Sequence, residues 1–230
     1  MRFIFPCALA LVSAPLASQT HAAMVTATLT ADNHYSIYTG AEDGSVMNYV
    51  GGNETGAGGS PGTYNWSLPE PYVFTSSDEY LYVAAWSDDY VAQGLLGVFT
   101  IDATTLVSGS SAWQVYATGQ DRDDGAAHPA VAEVGTQVAL AELAAAWTQI
   151  AVGGLNGVQP WGTVTGITPT AAWMWSPAEQ GGDPFAPGAD HGEYLLFRTP
   201  IPEPATTVLL FCGLIATIRQ HRRDLREAGR

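Results

Sequence analysis

The chain is 230 residues long and carries 22 acidic side chains against 8 basic ones, a formal net charge of −14 at pH 7. All of the bases are arginine, and between residues 24 and 199 only Arg122 and Arg198 stand against nineteen acids, a net charge of −17. A surface of that sign repels phosphate backbones, so nucleic acid is not an expected partner; divalent cations, a salty medium or plain solubility would each account for it.

At the N-terminus Arg2 is followed by an apolar run from Phe3 to Leu16 and by Thr20-His21-Ala22-Ala23. This is the layout of a secretory signal peptide, cut by signal peptidase after Ala22 or Ala23. Residues 1–23 are therefore expected to be removed and the protein exported. Residues 24–199 then form one domain, long enough for a sizeable core. Cys7 lies in the leader and Cys212 near the C-terminus, so the domain between them has no thiol and must be stable without disulfides.

Along that domain, short alternating runs separated by Gly, Asn, Asp and Pro predict an all-β body. The clearest are Val25 to Thr30, Tyr35 to Thr39, Tyr80 to Trp86, Leu95 to Ile101, Trp113 to Ala117, Ala172 to Trp175 and Tyr194 to Arg198. Many short strands rich in β-branched and aromatic residues, without regularly interleaved helices, mean a β-sandwich, with a jelly roll as the expected form. Gly51 to Gly62 is too rich in glycine to hold a strand and reads as a flexible surface loop. Thr136 to Ile150 is the one predicted helix, with Thr136 as its cap, Leu140, Leu143, Trp147 and Ile150 as a packing stripe, and Gly153-Gly154 as its stop. Laid across one end of the sandwich, it would bury that stripe.

The C-terminal residues, 200–230, have a character of their own. Ile201-Pro202-Glu203-Pro204-Ala205 is followed by the apolar run Thr206 to Ile218 and then by Arg219, Arg222, Arg223 and Arg226. The apolar run is expected to partition into hydrocarbon as a hydrophobic sorting helix, with the arginines at a cytoplasmic face. Ala205 to Ile218 is 14 residues, short of the roughly 20 that a stable span needs, which fits a transient inner-membrane anchor that is later cut. This arrangement resembles the PEP-CTERM sorting signal of exopolysaccharide-producing bacteria. The resemblance implies recognition of Pro202, Glu203, Pro204, Arg219, Arg222 and Arg223 by an exosortase-type membrane enzyme, and delivery to the cell surface or the extracellular matrix.

A second resemblance runs through Leu29-Thr-Ala-Asp-Asn-His-Tyr-Ser-Ile-Tyr38, Tyr64-Asn65-Trp66 and Tyr80-Leu-Tyr-Val-Ala-Ala-Trp86. It is similar to the galactose-binding-like jelly-roll modules attached to glycan-active enzymes. Ala172-Trp-Met-Trp175 and Tyr194-Leu-Leu-Phe-Arg-Thr199 also resemble strands of those modules, where they usually precede the Ala-Asp-Asn strand; here they come last, as in a permuted or convergent sandwich. The resemblance implies carbohydrate binding, with Asp32, Asn33, Trp66, Trp86 and Trp161 as candidates.

Candidate chemistry is otherwise sparse. Asp121, Asp123 and Asp124 precede Gly125 in an oxygen-rich loop that suits calcium, although Ala132 stands where an EF-hand needs glutamate; the alternative is a solvated acidic loop. Asp88-Asp89 is a second possible calcium site or a turn. Trp66, Trp86, Trp161, Trp173 and Trp175 lie near predicted loops or strand ends, where flat rings stack on sugar faces, while Trp113 and Trp147 are assigned to packing. No nucleophile elbow, zinc-helix motif, catalytic thiol or nucleotide loop appears, and His34, His128 and His191 are widely separated. The expectation is a non-enzymatic surface or matrix protein that binds exopolysaccharide. The alternatives are a polysaccharide-processing enzyme with two converging carboxylates and a purely structural surface protein.

Overall fold

In the computed structural model of the chain, the described residues are 22–53, 68–88, 92–123, 126–178, 182–186 and 193–202. They form two antiparallel sheets and one short helix, so the body is mostly β, as expected. The chain order is β1 (Ala23–Asp32), β2 (His34–Gly40), β3 (Met47–Gly52), β4 (Glu70–Ser76), β5 (Tyr80–Trp86), β6 (Gly94–Ile101), β7 (Thr104–Val107), β8 (Gln114–Asp121), α1 (Val131–Leu143), β9 (Thr148–Gln149), β10 (Ala151–Leu155), β11 (Ala172–Trp175) and β12 (Glu193–Pro200). Sheet one runs β10-β11-β6-β1-β4, with β7 folded back on β6; sheet two runs β3-β2-β5-β12-β8-β9.

Between the sheets lies a core whose members alternate along β1, where Val25, Ala27 and Leu29 point inward while Met24 and Thr26 face water. The alternation vanishes in β2, β5 and β12, which are buried at nearly every position. The cause is a second layer on each sheet. On the outer face of sheet two, Val134 and Val138 of α1 pack on Tyr38, Tyr82, Ala84, Trp86, Tyr194 and Leu196. On the outer face of sheet one, Trp161, Val164, Ile167 and Ala171 of the segment after β10 cover Leu96 and Trp173. Strands covered on both sides read as continuous apolar runs, which is why Tyr80–Trp86 and Ala172–Trp175 stand at their predicted bounds.

The helix departs from its prediction. It starts five residues earlier and ends at Leu143, because Glu133 reaches back to the Ala130 amide (Oε2 accepts at 3.3 Å) and so satisfies an orphan N-terminal donor. Thr136 does not cap it; its hydroxyl donates to the Ala132 carbonyl inside the helix at 2.8 Å. The stripe fails as well. Leu140 and Leu143 are 46% and 86% exposed, Trp147 and Ile150 follow the helix, and the buried face is Val134, Gly135, Gln137, Val138 and Ala141. Small residues on that face let α1 lie flat on the aromatic outer side of sheet two rather than across an end. The closest approach is at Gly44 (φ 73°), where an added Cβ would sit 2.3 Å from the Gly135 carbonyl, a gap only glycine leaves open at a left-handed position.

Strands β3, β4, β7, β9 and β10 were not legible as runs. Gly51 and Gly52, assigned to a loop, end β3; a Cβ on Gly51 would lie 2.6 Å from the Tyr72 ring of β4. The rest of that glycine-rich segment, from 54 onward, is outside the described residues.

Candidate functional site

Sheet one ends at β4 and sheet two at β3, and these two edges face each other across a cleft of about 390 Å³. Thr39 from the end of β2, Asn48 and Tyr49 from β3, Phe74 and Ser76 from β4 and Asp78 from the β4–β5 turn line it. Asp78 Oδ2 accepts from the Thr39 hydroxyl and, at 3.0 Å, from the Asn48 amide. The Ser76 hydroxyl accepts the Asp78 amide at 3.0 Å, which sets the turn. The cleft therefore offers a carboxylate, an amide and a hydroxyl beside the half-buried Phe74, a mixture by which concave sites recognise polyhydroxylated ligands; the Tyr49 ring at its rim is stacked on His128 with centroids 4.1 Å apart.

Deeper along the same edge, Tyr35 and Tyr72 both donate to Glu70 Oε2, at 3.0 and 3.1 Å, and their hydroxyls lie 3.0 Å apart. Burial is the main cause that pushes both phenols far above the ordinary tyrosine value, so they remain neutral donors that hold the glutamate and pin β4 over β2.

Two of the sequence-predicted candidates meet a third at the opposite end of the sandwich, where Asn33 alone joins β1 to β2. The Trp161 indole donates to Asp32 Oδ2 at 2.8 Å. Asn33 donates to Asp88 Oδ2 at 3.1 Å and accepts the Asp88 amide at 2.9 Å. Asn53 clamps the same corner, accepting the Tyr35 amide and donating to the Asn33 carbonyl, each at 2.8 Å. Asp32, Asn33 and Trp161 thus come together, with Asp88 as a partner that sequence reasoning had placed only in a turn or calcium site. Trp161 is 6% exposed and stacks on Trp173 with ring centroids 4.1 Å apart; its ring closes the outer layer of sheet one rather than offering a face to a sugar.

Burial, opposed by the Trp161 hydrogen bond and reinforced by Asp88, raises the Asp32 carboxyl from 3.8 to about 6. A carboxyl whose folded value is raised takes up a proton on folding, so its destabilising effect is absent below about pH 4 and complete above about pH 6. Asp32→Asn keeps an acceptor for Trp161 and removes the charge. It is expected to be more stable than the parent at pH 7.5 by about 1–3 kcal/mol and to lose that advantage near pH 4. Urea unfolding at the two pH values measures this; an advantage that does not shrink on acidification would contradict it.

Trp86 is elsewhere, on the outer face of sheet two under α1. It is 1% exposed, stacked on His34 at 5.2 Å, with the Arg122 guanidinium 5.7 Å from its centroid. It is a packing residue, which corrects its assignment as a sugar platform; Trp173 and Trp175 are buried likewise. Asp121 ends β8 opposite Glu193, and Asp123 is exposed in the turn that follows. Asp124, Asp89, Trp66, His191, Glu203, Pro204, Arg219, Arg222 and Arg223 lie outside the described residues, and Pro202 is the last residue within them. Among the described residues no three His, Cys, Asp or Glu side chains are grouped to hold a metal ion, and no helix is long and apolar enough to cross a membrane.

The two cations of the domain serve α1. Arg122 donates to Glu133 at 2.6 Å near the start of the helix, and Arg198 pairs with Glu142 near its end while donating to Gln114 at 2.9 Å. No sequence motif announces the cleft, because its polar residues are spread from position 39 to 78 and converge only where two sheet edges face each other. Comparison with family models, curated proteins and solved structures gives no match for this chain.

Proposed function

We propose that this is an exported protein, carried to the cell surface or matrix by a PEP-CTERM-type tail, whose sandwich binds an exopolysaccharide in the cleft between β3 and β4 and catalyses nothing. The observation that carries the reading is the cleft itself: Asp78, Asn48 and Thr39 beside Phe74, at an open edge that a chain polymer can cross. A jelly-roll reading of the sandwich is supported by the chain's passages from one sheet to the other at β1–β2, β3–β4, β4–β5, β5–β6, β7–β8, β9–β10 and β11–β12. The export reading is supported by Arg2 with the apolar run after it and by Pro202-Glu203-Pro204 followed by an apolar segment and arginines. Trp86 and Trp161 are buried and so leave the sugar-stacking role; the aromatic ring at the cleft is that of Phe74, half-buried against the core.

Purified protein titrated with a panel of exopolysaccharides is expected to bind at least one. Asp78→Asn should weaken that binding by about tenfold or more, the worth of a hydrogen bond to a charged group. Silence across the panel would favour a structural surface protein. Replacing Pro202-Glu203-Pro204 with alanines is expected to leave the protein unprocessed at the inner membrane, as seen by mobility on a gel and by cell fractionation. Normal maturation of that variant would remove the sorting reading.

One observation favours the processing-enzyme alternative: the raised Asp32 carboxyl has Asp88 as a neighbour, the kind of perturbed pair that marks acid catalysts. Hydrolysis of the bound polymer that disappears in Asp32→Asn would replace the binding reading by that one.

A further inference from the structure

We infer that the outer face of α1 and the groove beside it hold the chain's own C-terminal apolar run, Thr206 to Ile218, outside the membrane. Helix α1 covers sheet two with Val134 and Val138, yet the side it turns to solvent is apolar as well. Its exposed residues are Val131, Ala132, Thr136, Ala139, Leu140 and Leu143, with no charge among them in a domain of net charge −17. Ala132, Thr136, Ala139 and Leu143 follow at steps of four, three and four, a single stripe along the helix with Leu140 beside it. Next to the stripe, Val46 and Met47 line a groove of about 660 Å³ together with Val131, Gly135 and Ala139 of α1. A surface helix ordinarily turns charged residues to water, and a contiguous apolar patch marks an interaction site.

The place where the chain leaves the fold names the occupant. Arg122 pairs with Glu133 and lies over Tyr194 at the start of β12, and Arg198, near the end of β12, pairs with Glu142, so α1 runs alongside β12 in the same direction. Ile201 is buried and donates its amide to the Glu79 carbonyl at 2.8 Å, which delivers Pro202 to the C-terminal end of α1. From Pro202 to Thr206 the chain can span about 13 Å, enough to reach a position beside the helix, since packed helices lie about 8–10 Å apart. Length agrees: Thr206 to Ile218 is 13 residues and α1 is 13 residues, each about 20 Å as a helix, which is too short for a stable span and matches α1 laid antiparallel on it. Charge agrees too. Residues 203–230 carry five arginines against three acids, and the antiparallel course brings Arg219, Arg222 and Arg223 to the N-terminal end of α1, where Asp121, Asp123, Glu133 and Glu193 outnumber Arg122. A tether of a few residues holds the run at an effective concentration on the order of millimolar, ahead of a second copy, and the domain's net charge repels an anionic bilayer from this face. Docked there, the run is shielded from water and has to be released before it enters the bilayer.

Cys212 lies in the middle of the run and is the one thiol of the chain once Cys7→Ser is made, so it reports where the run sits. In that background Thr136→Cys or Ala139→Cys on α1 is introduced into the full-length protein, kept free of detergent, with Val73→Cys at a 72% exposed position of β4 as the control. Mild oxidation is expected to join position 136 or 139 to Cys212 within one chain, at a rate independent of protein concentration and about tenfold or more above that of Val73→Cys. Adding Leu143→Asp, at an 86% exposed position, should cut that rate several-fold while the melting temperature stays within about 2 °C. Linkage between two chains would overturn the assignment in favour of a second copy on this face. Equal linkage at position 73, linkage indifferent to Leu143→Asp, or no linkage at all would overturn it outright. None of these outcomes bears on the cleft or on sorting, which the polymer panel and the Pro202-Glu203-Pro204 replacement test separately.

Discussion

Trp86→Ala is expected to destabilise the domain by about 3–5 kcal/mol, the usual cost of emptying a large aromatic site, and to leave the glycan affinity of the folded molecules unchanged. The ring fills the space between His34 and the Arg122 guanidinium and belongs to the cluster that seats α1 on sheet two. Its loss therefore removes contacts from the sheet and from the helix at once. At about 2–4 °C per kcal/mol for a domain of this size, the melting temperature should fall by about 6–20 °C. Trp86→Phe should cost less, because among the described residues the buried indole N–H has no partner and its removal offsets part of the lost area. A variant that melts with the parent but no longer binds polysaccharide would restore Trp86 as a sugar platform.

Arg198→Met should lower stability by about 2–4 kcal/mol, a fall of about 4–16 °C in melting temperature. Arg198 is 6% exposed on β12, paired with Glu142, hydrogen-bonded to Gln114, and lies 4.1 Å from the Trp147 centroid and 4.9 Å from that of Tyr80. Methionine keeps the packing volume but leaves the Glu142 carboxylate without its cation and two rings without the charge that they face. Arg198→Lys should fall between parent and methionine, since a lysine restores the charge without the planar fork. A double-mutant cycle with Glu142→Gln isolates the pair. A coupling near zero would show that α1 is held by apolar contact alone. The same reasoning explains why a domain so poor in cations spends both on one helix: with acids in excess everywhere else, only a buried or half-buried pair gains enough from an opposite charge to hold an element in place.

The local patterns that were legible are those a strand carries in its own composition. Tyr80–Trp86 and Ala172–Trp175 stand where their apolar runs placed them, and β1 keeps the alternation of Val25, Ala27 and Leu29. β4 was hidden by Pro71, which an edge strand tolerates and a central one does not, and β3 by the glycines at its end. The helix was misplaced because Leu140, Leu143 and Trp147 outweighed Val134 and Val138 in any count of hydrophobicity. The sheet it covers is already lined with tyrosine and tryptophan, so it required a flat partner rather than a bulky one.

By itself the amino-acid sequence determined the all-β character of the body, the acidic surface and the absence of cysteine from residues 24–199, since each is set by which residues are present and by their near-neighbour spacing. The tertiary structure alone decided that Trp86 and Trp161 are buried and that both arginines serve α1. It alone also decided that Thr39, Asn48 and Asp78 share one cleft. The physical reason is that burial and convergence depend on which sheet edges and faces meet. That is set by long-range pairing such as β1 with β4 and β12 with β5, and no local period in the chain records it.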